Sequence, residues 1–125
     1  MAITRKILWE LLLEGSDDWV GLWEVDSVVQ KHTGIADLIQ RRTETLRVMS
    51  ELLEQDLFEI GSLAPREKPR FISWGLSKEE AIARVSEEWL PGVRITLGNT
   101  WLRITEKGEQ LLHDLESNDQ VEEPT

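Results

Sequence analysis

The sequence contains no cysteine and no tyrosine, and it has no long run of apolar residues. The absence of cysteine excludes disulfide bonds, thiolate metal sites and cysteine nucleophiles, and it fits a reducing compartment. The longest apolar run, Leu11–Leu13, is far too short to span a bilayer. The first residues also lack the apolar stretch and the cleavage site of a secretory signal. We therefore expect a cytoplasmic protein that makes no contact with a membrane.

Positive charge is scarce as well. Lys and Arg total 14 against 24 Asp and Glu, so the net charge is −10. Nucleic-acid affinity rests largely on basic side chains that displace counterions from phosphate, so this balance disfavours DNA as a partner. Residues 61–76 are the exception, because three basic residues there face one acidic residue. That segment is therefore one of the places where an anionic partner is expected to make contact.

The length and the apolar pattern predict one α+β domain. A chain of 125 residues with 40% hydrophobic and 30% charged residues is typical of a single globular domain. Apolar residues at helical spacing predict three N-terminal helices, over 4–14, 22–31 and 35–55. Gly15 is expected to end the first helix and Gly34 the second. The third is long enough that we expect a break near Arg42, with Thr43 capping a second segment.

The second half of the chain mixes strand and helix patterns. Short strands are predicted at 57–60 and 71–74, with a loop at 61–69 between them. Ser77 and Glu80 form a capping-box pattern that predicts a helix, which ends at Pro91-Gly92.

Two alternating runs, 93–97 and 100–105, are joined by Gly98-Asn99, which predicts a β-hairpin. A last helix is expected after Thr105. The acidic tail, 117–125, is expected to be disordered.

The order of these elements is that of a winged helix-turn-helix protein. Residues 45–60, Thr-Leu-Arg-Val-Met-Ser-Glu-Leu-Leu-Glu-Gln-Asp-Leu-Phe-Glu-Ile, resemble the recognition helix and following strand of multiple-antibiotic-resistance (MarR-type) winged-helix regulators. Residues 101–112, Trp-Leu-Arg-Ile-Thr-Glu-Lys-Gly-Glu-Gln-Leu-Leu, are similar to the second wing strand of that group, which ends in a Thr-x-x-Gly helix start. The pattern also resembles small bacterial winged-helix proteins with a Ser-x-Glu-Glu-Ala…Glu-Trp insert.

The resemblance implies a three-helix core, a small antiparallel β-wing and a C-terminal helix within a single domain, 1–116. The chain departs from the family pattern in two places. Asp56 stands where the family has a glycine in the corner between helix and wing, and Asp tolerates the positive φ needed there. The wing is enlarged by a helical insert of about residues 61–99.

Six basic residues are the candidate contacts to a nucleic acid or an acidic partner. They lie on the recognition-type helix and in the basic loop: Arg41, Arg42, Arg47, Arg66, Lys68 and Arg70. The helix also carries Glu44, Glu51 and Glu54, and carboxylates at helical spacing from arginines favour a solvated surface of mixed charge. For the loop, the competing interpretation is ordinary solvated charge beside two prolines.

The chain has six tryptophans but only two phenylalanines. Five of the tryptophans are predicted to form an aromatic seam between insert and body, or else an apolar interface for a partner. These are Trp19, Trp23, Trp74, Trp89 and Trp101. His32 and His113 each stand alone in the sequence, so we expect structural or surface roles for both.

The function that the sequence favours is a non-catalytic winged-helix module for protein–protein interaction or self-association. No cofactor, metal site or catalytic group is expected, because none of the common nucleophile, phosphate-loop or metal-ligand motifs is present. The alternative is a dimeric DNA-binding transcriptional regulator that uses the recognition helix and the basic loop.

Overall fold

The computed structural model describes residues 4–64, 68–93 and 98–122. Within them the chain is α+β, as predicted, with five helices and one four-stranded antiparallel sheet. The helices are α1 (Arg5–Asp17), α2 (Leu22–Thr33), α3 (Leu38–Glu54), α4 (Lys78–Glu88) and α5 (Glu106–Glu122). The strands are β1 (Val20–Gly21), β2 (Phe58–Ala64), β3 (Arg70–Ser73) and β4 (Trp101–Ile104).

The strand order in the sheet is β1-β4-β2-β3. Strands β2 and β4 are separated in the chain by β3 and α4 and pair directly, with Ile60 opposite Leu102. On its other edge β4 pairs with β1, where Val20 lies opposite Leu102. The two-residue β1 was not predicted, because so short a segment shows no alternation. One sheet face packs on the helices, and Leu102 lies there fully buried.

Helix boundaries were predicted at Gly15, Gly34 and Thr43, and the structure differs at the first and the last of these. Helix α1 continues through Gly15 to Asp17, because this glycine packs instead of capping: a Cβ on it would lie 2.6 Å from the Phe58 ring. Helix α2 ends as expected at Gly34, whose φ is +70°. Helix α3 has no break, and Thr43 donates to the Ile39 carbonyl 3.2 Å away instead of capping.

The corner between α3 and β2 is built around a left-handed residue. Asp56 has a φ of 57°, as the glycine position of the resemblance requires. The Thr105 hydroxyl donates to the Asp56 carbonyl at 2.6 Å and accepts from the Gly108 amide at 3.0 Å. One threonine therefore ties this corner to the first turn of α5.

Helix α4 begins at the predicted capping box, with the Ser77 hydroxyl accepting from the Glu80 amide at 3.2 Å. It packs against α3 through the stripe that contains Ala81, Val85 and Trp89. The insert therefore does not project as a free arm, because its helix lies on the helical body.

Three predictions fall partly outside the described residues. Most of the first strand of the predicted hairpin, 93–97, lies outside the described residues. The second strand corresponds to β4, which pairs with β1 on one edge and with β2 on the other. The loop predicted at 61–69 is shorter, since β2 runs to Ala64. In place of a disordered tail, α5 continues to Glu122. Among the described residues, no helix is long and apolar enough to cross a membrane.

Candidate functional site

Arg41, a predicted DNA contact, lies inside the molecule with 7% of its surface exposed. Its Nε donates to Asp26 Oδ1 at 3.1 Å, and the Thr45 hydroxyl donates to the same oxygen at 3.1 Å. Asp26 is buried too, at 5% exposed. This pair joins α2 to α3, so Arg41 does not reach a partner, contrary to the prediction.

Arg42 is also used within the molecule. Its Nε donates to the Trp89 carbonyl at 2.6 Å and its Nη2 to the Ser86 carbonyl at 2.9 Å. Carbonyls at a helix C-terminus have no helical donor, and the negative end of the helix dipole favours a cation there. Arg42 therefore fastens the end of α4 to α3, and this position too is not a free DNA contact.

Arg47 is the member of the α3 set that is exposed, and its charge is balanced. Its Nη1 lies 3.5 Å from Glu44 Oε2, and not next to Glu51 as the spacing also allowed. Glu51 Oε2 instead accepts from the side-chain amide of Gln55, with 2.9 Å between Oε2 and Nε2. At the end of the helix, Glu54 pairs with Lys78 of α4. The outer surface of α3 therefore carries mixed charge, in agreement with the solvated-surface interpretation.

Lys68 and Arg70 lie exposed at the start of β3. Neither forms an ion pair with any residue in the described part of the chain. Arg66 lies outside the described residues. Of the six candidate contacts, Lys68 and Arg70 are thus the two that are exposed without a described acidic neighbour.

The five candidate tryptophans divide into two groups. We call the sheet face opposite Leu102 the outer face; Trp101 lies there, because neighbouring strand residues alternate. A Cβ on Gly21 would lie 2.6 Å from Trp23 Nε1 and 3.4 Å from Trp101, so both rings crowd this glycine. Trp19 is the third member of this group. Its ring is tilted by 34° to that of Phe71, with 6.3 Å between the ring centroids.

The other two tryptophans belong to the α4 side. Trp74 Nε1 donates to the Ser62 hydroxyl at 2.8 Å, and the Arg84 guanidinium lies 3.9 Å from the centre of its ring. Trp89 is buried and donates from Nε1 to the Val93 carbonyl at 2.9 Å. The predicted single seam is therefore not formed, because these rings pack on α4 and not on the outer face.

A small apolar cavity lies between the two groups. It has a volume of about 210 Å³ and is lined on two sides by Trp23 and Trp89. Leu90, 59% exposed, and Val93 form part of its rim. Ile39 approaches the same region, since its Cγ1 lies 3.8 Å from a Cβ built on Gly92. Four of the eight exposed large hydrophobic side chains among the described residues lie in this region: Trp23, Ile39, Leu90 and Val93.

The histidines take the structural and surface roles expected of them. His32 Nε2 and Lys31 Nζ each lie 2.9 Å from Glu10 Oε1, which joins α2 to α1. Burial opposes ionisation of Glu10, but the bonds and charges of His32 and Lys31 outweigh it and hold its pKa below the ordinary value. His113 is exposed on α5. Among the described residues, no three His, Cys, Asp or Glu side chains lie close enough together to hold a metal ion.

Asp26 is the residue of consequence that the sequence interpretation missed. The position of Asp26 in the sequence could have identified it, because this residue interrupts an apolar stripe of Leu22, Val25 and Val29 on α2. A carboxylate on a buried face requires a donor nearby, and α3 supplies two.

The comparisons with known proteins found no match to this chain among family models, curated proteins or solved structures. The functional argument therefore rests on the geometry of its own residues.

Proposed function

We propose that this chain is a non-catalytic winged-helix module that binds another protein, or a second copy of itself, and does not read DNA. Helix α1, the short strand β1, α2 and α3 precede β2, and β4 returns to lie between β2 and β1 in the sheet. This order supports a winged helix whose wing has been enlarged by β3 and α4. The lack of cysteine supports a cytoplasmic location.

The observation that carries the functional proposal is the position of α4. In a helix-turn-helix protein the recognition helix must be free to enter the major groove. Here α4 packs against α3, and the Arg42 side chain is bonded to carbonyls of α4. Arg41 is committed to Asp26 in the interior. Two of the three α3 arginines that would contact DNA, Arg41 and Arg42, are therefore bonded to residues of the chain itself.

Exposed apolar surface supports the protein-binding part of the proposal. The region around the Trp23–Trp89 cavity presents a tryptophan beside large aliphatic side chains, and tryptophan is enriched where interfaces gain most of their energy. A negatively charged chain is repelled by phosphate but not by an uncharged protein surface.

The alternative, a dimeric DNA-binding regulator, keeps one supporting observation. Lys68 and Arg70 are exposed without a described acidic neighbour, and a wing contacts the DNA backbone at such positions. Two charges per chain account for only about two displaced counterions, which gives weak binding by themselves.

A DNA titration across salt concentration tests the proposal. Labelled mixed-sequence duplex is titrated with the protein, and fluorescence anisotropy is recorded from low to physiological ionic strength. We expect no saturable binding at any salt concentration. Salt-dependent binding that is lost in a Lys68→Gln, Arg70→Gln variant, but kept in Lys107→Gln, would establish DNA binding and end the proposal. Lys107 is the matched control, because it is an exposed basic residue on α5.

A further inference from the structure

Strand β3 is the last strand of the sheet in the described part of the chain. The Trp74 amide donates to the Ile60 carbonyl at 3.1 Å, which identifies a hydrogen-bonded pair. Such pairs alternate with non-bonded ones along an antiparallel ladder. Ile72 therefore directs its backbone groups toward β2, whereas Phe71 and Ser73 direct theirs away from the sheet. No described residue pairs with these outward groups.

We propose that this edge pairs antiparallel with β3 of a second copy, so that two sheets join across a twofold axis. The inference rests on the self-association part of the proposed function and names its surface. It commits to a second copy because the edge is complementary to itself in register, side chains and charge.

The backbone register is self-complementary. With Ile72 placed on the axis, Phe71 of each copy lies opposite Ser73 of the other. Each of these pairs exchanges two hydrogen bonds, so all four outward N–H and C=O groups of each edge are satisfied. Ile72 then faces its own counterpart in a non-hydrogen-bonded pair, where side chains approach most closely.

The side chains along the edge fit the same register. Ile72 is 51% exposed although it is a large aliphatic residue, and pairing with its counterpart removes that apolar surface from water. Arg70 lies opposite Trp74 of the second copy, a pair that favours a cation–aromatic contact.

Charge favours this edge over the rest of the surface for contact between two copies. Residues 68–76 contain two basic residues and no acidic residue, although the chain as a whole carries −10. This edge therefore lacks the carboxylates that would repel the net negative charge of a second copy. The basic start of one strand also runs toward the N-terminus of α4 in the other copy, where Glu79 and Glu80 occupy the first turn.

The edge is too short to recruit further strands. Pro69 has no N–H to donate, and Gly75 turns the chain with a φ of +65°. A free edge invites open-ended addition, but a twofold pairing uses each edge once and closes. We expect a dimer of modest affinity whose population depends on concentration.

Cysteine cross-linking tests the register directly, because the natural chain has no cysteine. In the proposed dimer the two Ile72 Cα atoms lie about 4.5 Å apart, within the range that a disulfide spans. An Ile72→Cys variant is expected to form a covalent dimer under mild oxidation. Leu13→Cys is the matched control, since Leu13 is also an exposed aliphatic residue but lies on α1, outside both β3 and the cavity region. Equal cross-linking of the two variants would overturn the proposal.

Sedimentation equilibrium separates this inference from the proposed function. We expect a monomer–dimer equilibrium for the natural chain, weakened roughly tenfold or more by Ile72→Lys and unchanged by Leu13→Lys on α1. Both sites are exposed, and circular dichroism verifies that each variant folds. A dimer that survives Ile72→Lys overturns the β3 edge but keeps self-association. A natural chain that stays monomeric at all concentrations overturns the inference, whereas only the DNA titration overturns the proposed function.

Discussion

Asp26 holds two helices together from the buried face of α2. Its carboxylate accepts from the Arg41 guanidinium and from the Thr45 hydroxyl, with distances of 3.1 Å in each case. A buried ion pair adds little net stability, since desolvation of both charges offsets their attraction, but loss of one partner leaves an uncompensated charge. The pair therefore specifies how α2 and α3 meet.

Removal of this carboxylate tests its structural role. We expect Asp26→Ala to lower the free energy of unfolding by about 3–5 kcal/mol, because Arg41 remains buried without a partner. Urea denaturation followed by tryptophan fluorescence measures the change. Glu44→Ala, which removes a half-exposed ion pair, is expected to cost less than about 1 kcal/mol. A loss for Asp26→Ala no larger than that of Glu44→Ala would contradict the assigned role.

Glu24 and Glu10 have opposite pKa shifts. Burial raises the pKa of Glu24, the charges of Glu14 and Asp18 raise it further, and the Gly21 amide opposes them. Ionised Glu24 therefore lowers stability at neutral pH, and this penalty disappears as the pH falls through its raised pKa. For Glu10, with its lowered pKa, stability is gained above the pKa of the unfolded chain and lost as the pH falls through the folded value.

These shifts predict substitutions of opposite sign. Glu24→Gln should raise the free energy of unfolding at neutral pH by up to about 0.5 kcal/mol, and Glu10→Gln should lower it by a similar amount. Both differences should shrink below about pH 4, where the carboxyl groups are protonated. Urea unfolding at several pH values measures them, with the exposed Glu116→Gln as control. Equal effects at neutral and acid pH would show that charge is not the cause.

At the scale of elements, α4 decides what the surface of α3 can do. Arg42 bonds to the C-terminal end of α4, and Lys78 at its start pairs with Glu54 of α3. The buried residues Ala81 and Val85 lie between these two polar fastenings. Helix α4 is thus held at both ends against α3.

Loosening one fastening should mobilise α4 without unfolding the body. We expect Arg42→Met to speed hydrogen exchange of amides in the last turns of α4 by roughly tenfold, since two carbonyls lose their donor. Mass spectrometry of peptides from 78–88 reports the change. Arg47→Met, on the exposed side of α3, should leave these amides as in the natural chain. Unchanged exchange in Arg42→Met would mean that apolar packing alone holds α4.

At the scale of the whole molecule, unbalanced negative charge opposes compactness. A net charge of −10 on 125 residues repels itself, and dissolved salt screens that repulsion. The buried ion pair is shielded from salt and should respond little.

Salt should therefore stabilise the protein. Raising ionic strength from about 0.01 M to about 0.15 M shortens the Debye length from about 30 Å to about 8 Å. We expect the free energy of unfolding at neutral pH to rise by about 1 kcal/mol, measured by urea denaturation. The same change of salt near the isoelectric point of about 4.6 is the control and should have little effect. Destabilisation by salt at neutral pH would show that favourable ion pairs dominate instead.

Local signals in the sequence predicted the local features of the fold. Ser77 and Glu80 are three residues apart and cap α4 as expected, and Asp56 adopts the positive φ assigned to it. Gly15 was misassigned, because its role depends on the Phe58 ring, which approaches from a distant part of the chain. The break expected in α3 is absent since tertiary packing supports the helix throughout.

The residues of the candidate site show the same contrast between features that depend on neighbouring residues and features that depend on distant ones. Charge counting identified the basic start of β3, which is exposed in the structure. It did not distinguish Arg41 and Arg42, which are fasteners, from Arg47, which faces solvent. Residue type is the same at all three positions, and only the partner that folds back onto each one differs.

The sequence by itself determined that five helices form, the caps at Gly34 and Ser77 and the distribution of charge, because these depend on residues within a few positions of one another. Only the tertiary structure decided that α4 packs on α3, that Arg41 is buried and that β3 is the last strand of the sheet in the described part of the chain. Each of those outcomes requires segments tens of residues apart to meet. The free energy that joins such segments depends on the shape of packed surfaces, which is a property of the folded chain and not of any short stretch of it.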